Sequence, residues 1–171
     1  MTRNDRIAGT VLGAATVAMG LIAGAFYVFA CAVMPGLARS DDRVYVQVMR
    51  DINDVIQNPV FLLSFLGALV LTAVSAWQLR GEPYRRWVWA ATAAYALAFL
   101  VTVAFNIPLN DGLAGPGHPG ALREEFEGPW VVWNGVRGAL STVASGCLAR
   151  ALVGYGGRGR RRPAPSSPSG I

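Results

Sequence analysis

Hydrophobic residues in this chain are gathered into four long runs, unlike the short periodic stripes of a soluble domain. Residues 7–34, 60–79 and 87–107 contain no charged side chain, and the run over 130–152 carries Arg137 in its first half. A helix needs about 20 mostly apolar residues to cross the hydrocarbon core of a bilayer. Backbone polar groups in lipid must be bonded within their own segment, so each run should be helical. The pattern predicts an all-α, integral membrane four-helix bundle.

The two longer connections are predicted to contain amphipathic helices outside the bundle. In the first of them, apolar residues recur at helical spacing: Val44, Val48, Ile52 and Val55. The connection over 108–129 contains a shorter amphipathic helix, 121–127. Proline lacks a backbone donor. We therefore predict that the first run ends at Pro35-Gly36 and that Pro108 breaks the third.

Arginine supplies all fifteen basic residues, and its distribution predicts the orientation of the bundle. Ten arginines lie before the first run, between the second and third, or after the fourth; four arginines and eight acidic residues lie in the other two connections. Cytoplasmic loops are enriched in basic residues. Both termini are therefore predicted to be cytoplasmic, in a multi-pass protein of the cell (inner) membrane. The same distribution argues against nucleic acid as a partner, despite the net charge of +5.

The chain is predicted to form one transmembrane domain, residues 1–153, followed by a disordered, arginine-rich cytoplasmic tail, residues 154–171. A signal peptide is the alternative for the first run, but that run is about twice the length of a typical signal core. The same run contains two pairs of glycines, each pair four residues apart, a spacing that lets helices approach closely: Gly9 and Gly13, and Gly20 and Gly24. They favour packing within the bundle, with a homo-oligomer as the alternative.

Candidate chemistry is concentrated at the start of the fourth run, in the segment WVVWNGVR, residues 130–137. On a helix, Trp130, Asn134 and Arg137 share a face, and Trp133 lies four residues before Arg137. An arginine inside the bilayer costs about 2.5 to more than 10 kcal/mol and normally faces the bundle interior. We therefore predict that Arg137 lines a polar pocket. The alternatives are snorkelling of Arg137 to the interface and an aromatic belt formed by the two tryptophans.

A second polar cluster lies at the end of the third run, at the same predicted membrane level. Asn106 and Asn110 flank Pro108, and Asp111 follows directly. Helix capping and turn formation account well for Asn110 but less well for Asn106, which lies inside an apolar run. The predicted pocket comprises Asn106, Asn110, Asn134 and Arg137, with Asn58 as a weaker member.

Sequence motifs for bound cofactors do not occur in the chain. His118 lies in a Gly-Pro loop and is predicted to be solvated rather than a ligand or base. No cluster of His, Cys, Asp and Glu has metal-ligand spacing, and there is no phosphate loop or dinucleotide fingerprint. Cys31 and Cys147 are expected at different membrane levels and unpaired. An enzyme built on this chain is therefore predicted to work without a cofactor or metal.

The segments FNIPLND and WxxWNxxR, together with VMPGL after the first run, resemble the anthrone oxygenase-like family of four-helix membrane proteins. The resemblance covers about residues 8–152 and excludes the tail. Family members in fungal polyketide pathways oxidise an anthrone to an anthraquinone with O2, without a cofactor. The resemblance therefore implies the fold and a lipophilic aromatic or polyketide-like substrate.

The resemblance also implies roles for the residues named above. The substrate-binding residues would be Trp130, Trp133 and Asn58. The catalytic residues would be Arg137, Asn134, Asn106 and Asn110, as donors to oxyanions, and Asp111, the nearest carboxylate, as the base. His118 is a second candidate for the base.

The resulting hypothesis is a membrane-embedded, cofactor-independent monooxygenase that acts with O2 on a lipophilic aromatic molecule. The alternative is a non-enzymatic membrane protein, either a small-ligand binder or the partner subunit of a membrane complex. A transporter is a third, less favoured class, because the four runs show no obvious internal repeat.

Overall fold

The fold is given by a computed structural model, which describes residues 2–158. The first long helix consists of helix α1 (Arg3–Val28), a π turn (Phe29–Val33) and helix α2 (Met34–Leu37) in direct succession. Thr2 and Asp5 begin it by a reciprocal cap, in which each side chain accepts the backbone N–H of the other residue.

The connection that follows contains helix α3 (Asp42–Ile56) and leads directly into the second long helix, α4 (Pro59–Gln78). Asp41 begins α3 because its carboxylate accepts the N–H of Val44. Asn58 begins α4 in the same way, by accepting the N–H groups of Val60 and Phe61. The amphipathic helix predicted in this connection is confirmed.

The third long helix consists of α5 (Arg85–Val101), a second π turn (Thr102–Asn106) and α6 (Ile107–Ala114), and the fourth is α7 (Pro119–Arg158). Four helices of the described chain are long and apolar enough to cross a membrane: Arg3–Leu37, Pro59–Gln78, Arg85–Ala114 and Pro119–Gly157. All regular secondary structure between residues 2 and 158 is helical. The predicted all-α four-helix membrane fold is confirmed.

The first long helix ends at Leu37, one residue beyond the predicted Pro35-Gly36, whereas the predicted break at Pro108 is wrong, because the third helix continues to Ala114. The chain stays helical through both prolines. Each proline is the second residue after a π turn, in which an N–H reaches the carbonyl five residues earlier, as Ile107 does with Thr102. Proline cannot bond to the carbonyl four residues before it and collides with it. In the π turn before each proline, the backbone N–H bonds to the carbonyl five residues earlier instead of four. The helix can therefore continue past the proline. The first and third helices share this arrangement.

Helix α7 extends further at both ends than the sequence predicts. It begins at Pro119, so the short helix expected over 121–127 is its first part, and Pro129 lies inside it. Residues 154–158 belong to α7 and not to a disordered tail. They remain helical because Tyr155 is buried against Tyr84 and its hydroxyl donates to the carbonyl of Asp5. The rest of the predicted tail, 159–171, lies outside the described residues.

The long helices pack around one core, in which α1 and α5 each contact both α4 and α7. Fully buried aliphatic residues such as Leu12, Val88 and Leu148 fill its centre. The buried Tyr95 links two helices, because its hydroxyl donates to the Phe65 carbonyl at 2.9 Å. The first and last described residues, Thr2 and Arg158, lie at one end of this bundle, which we call the terminal end. Helix α3 lies at the other, the cap end.

The glycines of α1 pack differently from the prediction. A side chain at Gly9 would meet the ring of Tyr155, so Gly9 does allow close packing within the bundle. Gly13, Gly20 and Gly24 have open space where a side chain would be, and the predicted packing role is wrong for them. A homo-oligomer formed through this stripe stays a prediction.

The cap end has a small core of its own. Its buried residues are Met34, Tyr45, Val46, Met49, Leu113, Phe126 and Trp130. Arg50 ties α3 to the end of α6 by donating to the carbonyls of Leu113 and Gly115 at 2.9 and 2.7 Å. Arg123 of α7 forms an ion pair with Asp42 at 3.0 Å. Burial raises the pKa of Tyr45 above its usual value, so its hydroxyl stays protonated.

Replacing Arg50 by Met is expected to loosen the cap without unfolding the bundle. Each hydrogen bond from a charged donor contributes about 1.5–3 kcal/mol. Arg50 makes two such bonds, so we expect amide hydrogen exchange in α3 to accelerate at least about 100-fold, a change of about 3 kcal/mol, while α4 and α5 keep their protection. Arg43→Met, at an exposed position of the same helix, is the matched control. Equal acceleration in the two variants would contradict the role of Arg50.

Candidate functional site

A cavity of about 260 Å³ lies under the second half of α3, and residues of both π turns line it. Most of its wall is apolar and aromatic, with Phe26, Phe29, Phe61 and Phe65 contributed by α1, the first π turn and α4. Ile52 of α3 forms part of the roof. The polar lining residues are Asn53, Gln57, Thr102, Asn110, Asp111 and Arg137. A cavity of this kind suits a small lipophilic ligand with a polar group at one end.

Arg137 supplies a buried charge to this cavity. The residue is only 9% exposed, so its side chain does not snorkel to the interface. Its guanidinium carbon lies 4.3 Å from the centre of the Phe26 ring and 5.2 Å from that of Trp130. This position between two ring faces compensates part of the cost of burying a cation.

Asn134 orients the guanidinium. Its side-chain oxygen accepts hydrogen bonds from Nε and Nη2 of Arg137 at 3.3 and 3.2 Å. Its amide nitrogen donates to the carbonyl of Phe26 at 3.1 Å, which attaches α7 to α1. Within residues 2–158 both ion pairs involve Arg123, so no carboxylate there neutralises Arg137. The third guanidinium nitrogen, Nη1, forms no hydrogen bond with the described chain and is available to an acceptor in the cavity.

Trp130 joins the two polar clusters that the sequence suggested. Its indole N–H donates to the side-chain oxygen of Asn110 at 2.9 Å. Its ring is 3% exposed and packs against Phe29 and Phe126, with ring centres 5.7 and 5.9 Å away. Asn110 and the exposed Asp111 line the cavity from α6. Five predicted site residues thus meet at one place: Trp130, Asn134, Arg137, Asn110 and Asp111.

The sequence model of the family described as anthrone oxygenase matches residues 56–147, which is more than half of the chain. The chain belongs to the anthrone oxygenase family. Neither the curated proteins nor the solved structures contain a match. The region matched by the family includes α4, α5, α6 and the part of α7 that carries Arg137.

Three other predicted site residues lie apart from the cavity lining. Asn58 is an exposed helix cap, with its amide nitrogen bonded to the Val55 carbonyl. Trp133 stacks on Phe105 with the rings 3.8 Å apart and nearly parallel. Asn106 is completely buried, and neither polar atom of its side chain has a hydrogen-bond partner among the described residues. Their roles in binding or catalysis stay predictions.

The two candidate bases differ in position. Asp111 lines the cavity, whereas His118 is exposed in the loop before α7, where its Nδ1 accepts the N–H of Gly120 at 3.3 Å. Within residues 2–158 no group of three or more His, Cys, Asp and Glu side chains could hold a metal ion.

Sequence reasoning missed the aromatic residues that α1 contributes. Phe26 touches both Arg137 and Asn134, and Phe29 packs on Trp130. Both lie outside the region that the anthrone oxygenase family model matches. Their spacing of three residues near the end of an apolar run was a signal, but aromatic residues are common at that depth of any membrane helix.

Proposed function

We propose that this protein is a membrane-embedded oxygenase that oxidises a lipophilic, polyketide-like aromatic molecule to a quinone with O2 and needs no cofactor. The observation that carries the proposal is the guanidinium of Arg137. It is buried in an otherwise largely aromatic cavity, has no carboxylate partner in the described chain, and has one nitrogen free for an acceptor. Such a site favours a flat ligand with a negatively charged oxygen.

The chemistry balances without an external electron donor. A base removes a proton from the methylene carbon of an anthrone, which leaves an electron-rich anthrolate. The anthrolate gives one electron to O2, and the resulting radical pair combines to form a C–O bond in a peroxide. The O–O bond then breaks as the second hydrogen leaves the same carbon. One anthrone and one O2 give one anthraquinone and one water.

Five residues at the cavity have a role in this scheme. Arg137 binds the anthrolate oxygen and stabilises the charge that develops on reduced oxygen. Asn134 positions Arg137, and Trp130 forms an aromatic wall whose tilt is fixed by its hydrogen bond to Asn110. Asp111 is the base, because it is the carboxylate that lines the cavity. The exposure of Asp111 gives the proton a route to solvent.

Substrate enters from the lipid. Leu62 lines both the cavity and a groove on the outer face of α1 and α4, so the cavity borders the surface that faces the acyl chains. With both termini in the cytoplasm, as the arginine distribution predicts, the cavity lies in the outer half of the inner membrane.

The direct test is O2 consumption by the purified, chelator-treated protein in detergent with an anthrone. We expect one O2 consumed and one quinone formed per substrate, at a rate well above that of buffer and detergent alone. Anthraquinone should bind in the same cavity and inhibit. Binding of the anthrone with no O2 consumption above background would contradict the oxygenase and support a ligand-binding protein.

A further inference from the structure

A second crevice lies at the terminal end of the bundle, where α1 meets the end of α4. Its volume is about 500 Å³, and its walls include Asn4 and Ile7 from α1 and Trp77, Gln78 and Arg80 from the other side. Trp77 lies twelve residues beyond Phe65, the last residue of α4 that lines the first cavity. At 1.5 Å per residue this separates the two sites by roughly 18 Å along the helix.

The crevice places a cation that has no carboxylate partner in the described chain beside a side-chain oxygen that accepts no hydrogen bond there. Arg80 lies over the Trp77 ring, 5.1 Å from its centre, and donates to the Trp77 carbonyl at 3.2 Å. No carboxylate between residues 2 and 158 forms an ion pair with Arg80. The side-chain oxygen of Gln78 is buried and has no hydrogen-bond partner in the described chain. A ligand that satisfies both groups carries an anionic oxygen next to a hydrogen-bond donor.

The same seam continues towards the cap end as an apolar groove of about 920 Å³. Val17 and Leu21 of α1 and Leu63 and Val70 of α4 are among its lining residues, and all four are exposed. From Ile7 in the crevice to Leu21 in the groove, α1 rises roughly 21 Å. One leaflet of the hydrocarbon core measures about 15 Å. Crevice and groove together therefore have the length of one leaflet, and the groove has the apolar lining that a fatty acyl chain requires.

We propose that the crevice and groove together bind one phospholipid with an anionic, hydroxyl-bearing headgroup of the phosphatidylglycerol class. The phosphate accepts from Arg80, a headgroup hydroxyl donates to Gln78, and one acyl chain lies in the groove. Nearby basic residues favour an anionic over a zwitterionic lipid: Arg3, Arg6, Arg85 and Arg86, against Asp5 and Glu82. The groove borders the proposed substrate entrance at Leu62, but binding of the lipid does not require that the protein be an oxygenase.

The test is native mass spectrometry of the full chain titrated with three lipids that share their acyl chains. Phosphatidylglycerol has both headgroup features, phosphatidic acid lacks the hydroxyl-bearing group, and phosphatidylcholine has neither a net charge nor a donor. We expect phosphatidylglycerol to bind about tenfold more tightly than phosphatidylcholine, because the quaternary ammonium of choline cancels the net negative charge and offers Gln78 no hydrogen-bond donor. Inorganic phosphate at millimolar concentration should leave its binding unchanged. Displacement by phosphate, or equal binding of all three lipids, would overturn the proposal.

Three variants and two controls assign the contacts. Arg80→Gln should reduce the preference over phosphatidylcholine to the part that the hydroxyl bond to Gln78 contributes, whereas Arg39→Gln at the cap end should leave it unchanged. Gln78→Leu should bring phosphatidylglycerol and phosphatidic acid to equal affinity. Gly67→Phe fills the groove from a position with open space and should weaken all three lipids; Gly20→Phe, which also has open space but lies outside the groove, should not.

The variants are compared at matched helicity, measured by circular dichroism. Loss of preference in Arg39→Gln to the same extent as in Arg80→Gln would show a general charge effect and sink the site. Unchanged binding in Gly67→Phe would exclude the groove as the place of the acyl chain.

Discussion

Replacing Arg137 by Met is expected to lower the rate of anthrone oxidation about 100- to 1,000-fold, because one preorganised donor to a developing oxyanion contributes roughly 2.7–4 kcal/mol. Methionine keeps most of the length and apolar contact of the side chain but removes the charge that lies between Phe26 and Trp130. The effect should fall on the rate at saturating substrate, since the negative charge is largest in the transition state.

The stability of this variant separates catalysis from packing. Arg137 has no carboxylate partner between residues 2 and 158, and an apolar residue in place of a buried charge is often neutral or stabilising. The substitution also leaves the buried side-chain oxygen of Asn134 without a donor, at a cost of about 1–3 kcal/mol. These two effects oppose each other, so we expect the variant to stay folded while it loses activity. Arg150→Met, at an exposed position further along α7, is the control and should retain full activity.

A second variant and two alternative results test the role of the Arg137 guanidinium further. Arg137→Lys should recover part of the rate, because it restores a cation but not the planar pair of donors that Asn134 orients. An Arg137→Met variant that oxidises anthrone at the original rate would rule out the proposed role of the guanidinium. A variant that no longer folds would show that Arg137 serves helix packing, as the non-enzymatic alternative requires.

The fold could be predicted from the sequence because the membrane leaves few alternatives. Apolar runs of sufficient length must be helices in lipid, and helix caps such as Asp41 and Asn58 fix where α3 and α4 begin. The burial of Arg137 was also predictable, because a charge within the bilayer is costly unless it faces the interior. Both inferences rest on the cost of leaving a polar backbone group or a charge in lipid, which is several kcal/mol and is rarely outweighed by tertiary packing.

Details that depend on local geometry could not be predicted in this way. A proline ends most helices, but the π turn that finishes at Asn106 lets this helix continue through Pro108. The continued helix carries Asn110 and Asp111 towards α7. The sequence placed both Trp130 and Trp133 on the face of Arg137, but in the structure the guanidinium lies over Trp130, seven residues away, while Trp133 stacks on Phe105. Two full turns bring a residue back to within about 20° of the same face, so the rotation of α7 decides which tryptophan faces the cavity.

Asn106 is the point at which sequence reasoning and structure raise the same question. The sequence singled it out as a polar residue inside an apolar run, which capping explains less well than it explains Asn110. In the structure it is completely buried in the second π turn, and both polar atoms of its side chain lack partners in the described chain. π turns within helices occur frequently at functional sites. A residue that costs stability and is nevertheless present is a candidate for function.

Replacing Asn106 by Leu is therefore expected to stabilise the protein by about 1–3 kcal/mol, the cost of leaving a buried polar group without a partner. The measurement is the free energy of unfolding in a denaturing detergent titration. If Asn106 contributes to the reaction, the same variant should lose oxygenase activity as it gains stability.

Asn134→Leu is the matched comparison, because Asn134 is equally buried but bonded at both ends of its amide, to the Phe26 carbonyl and to Arg137. It should destabilise the protein by a similar amount, since it leaves a buried carbonyl and a buried cation without their partner. The expected result is therefore a higher free energy of unfolding for Asn106→Leu and a lower one for Asn134→Leu. Destabilisation in both would mean that Asn106 is already satisfied, by bound water or another ligand, and would remove the argument that it is held in place for function.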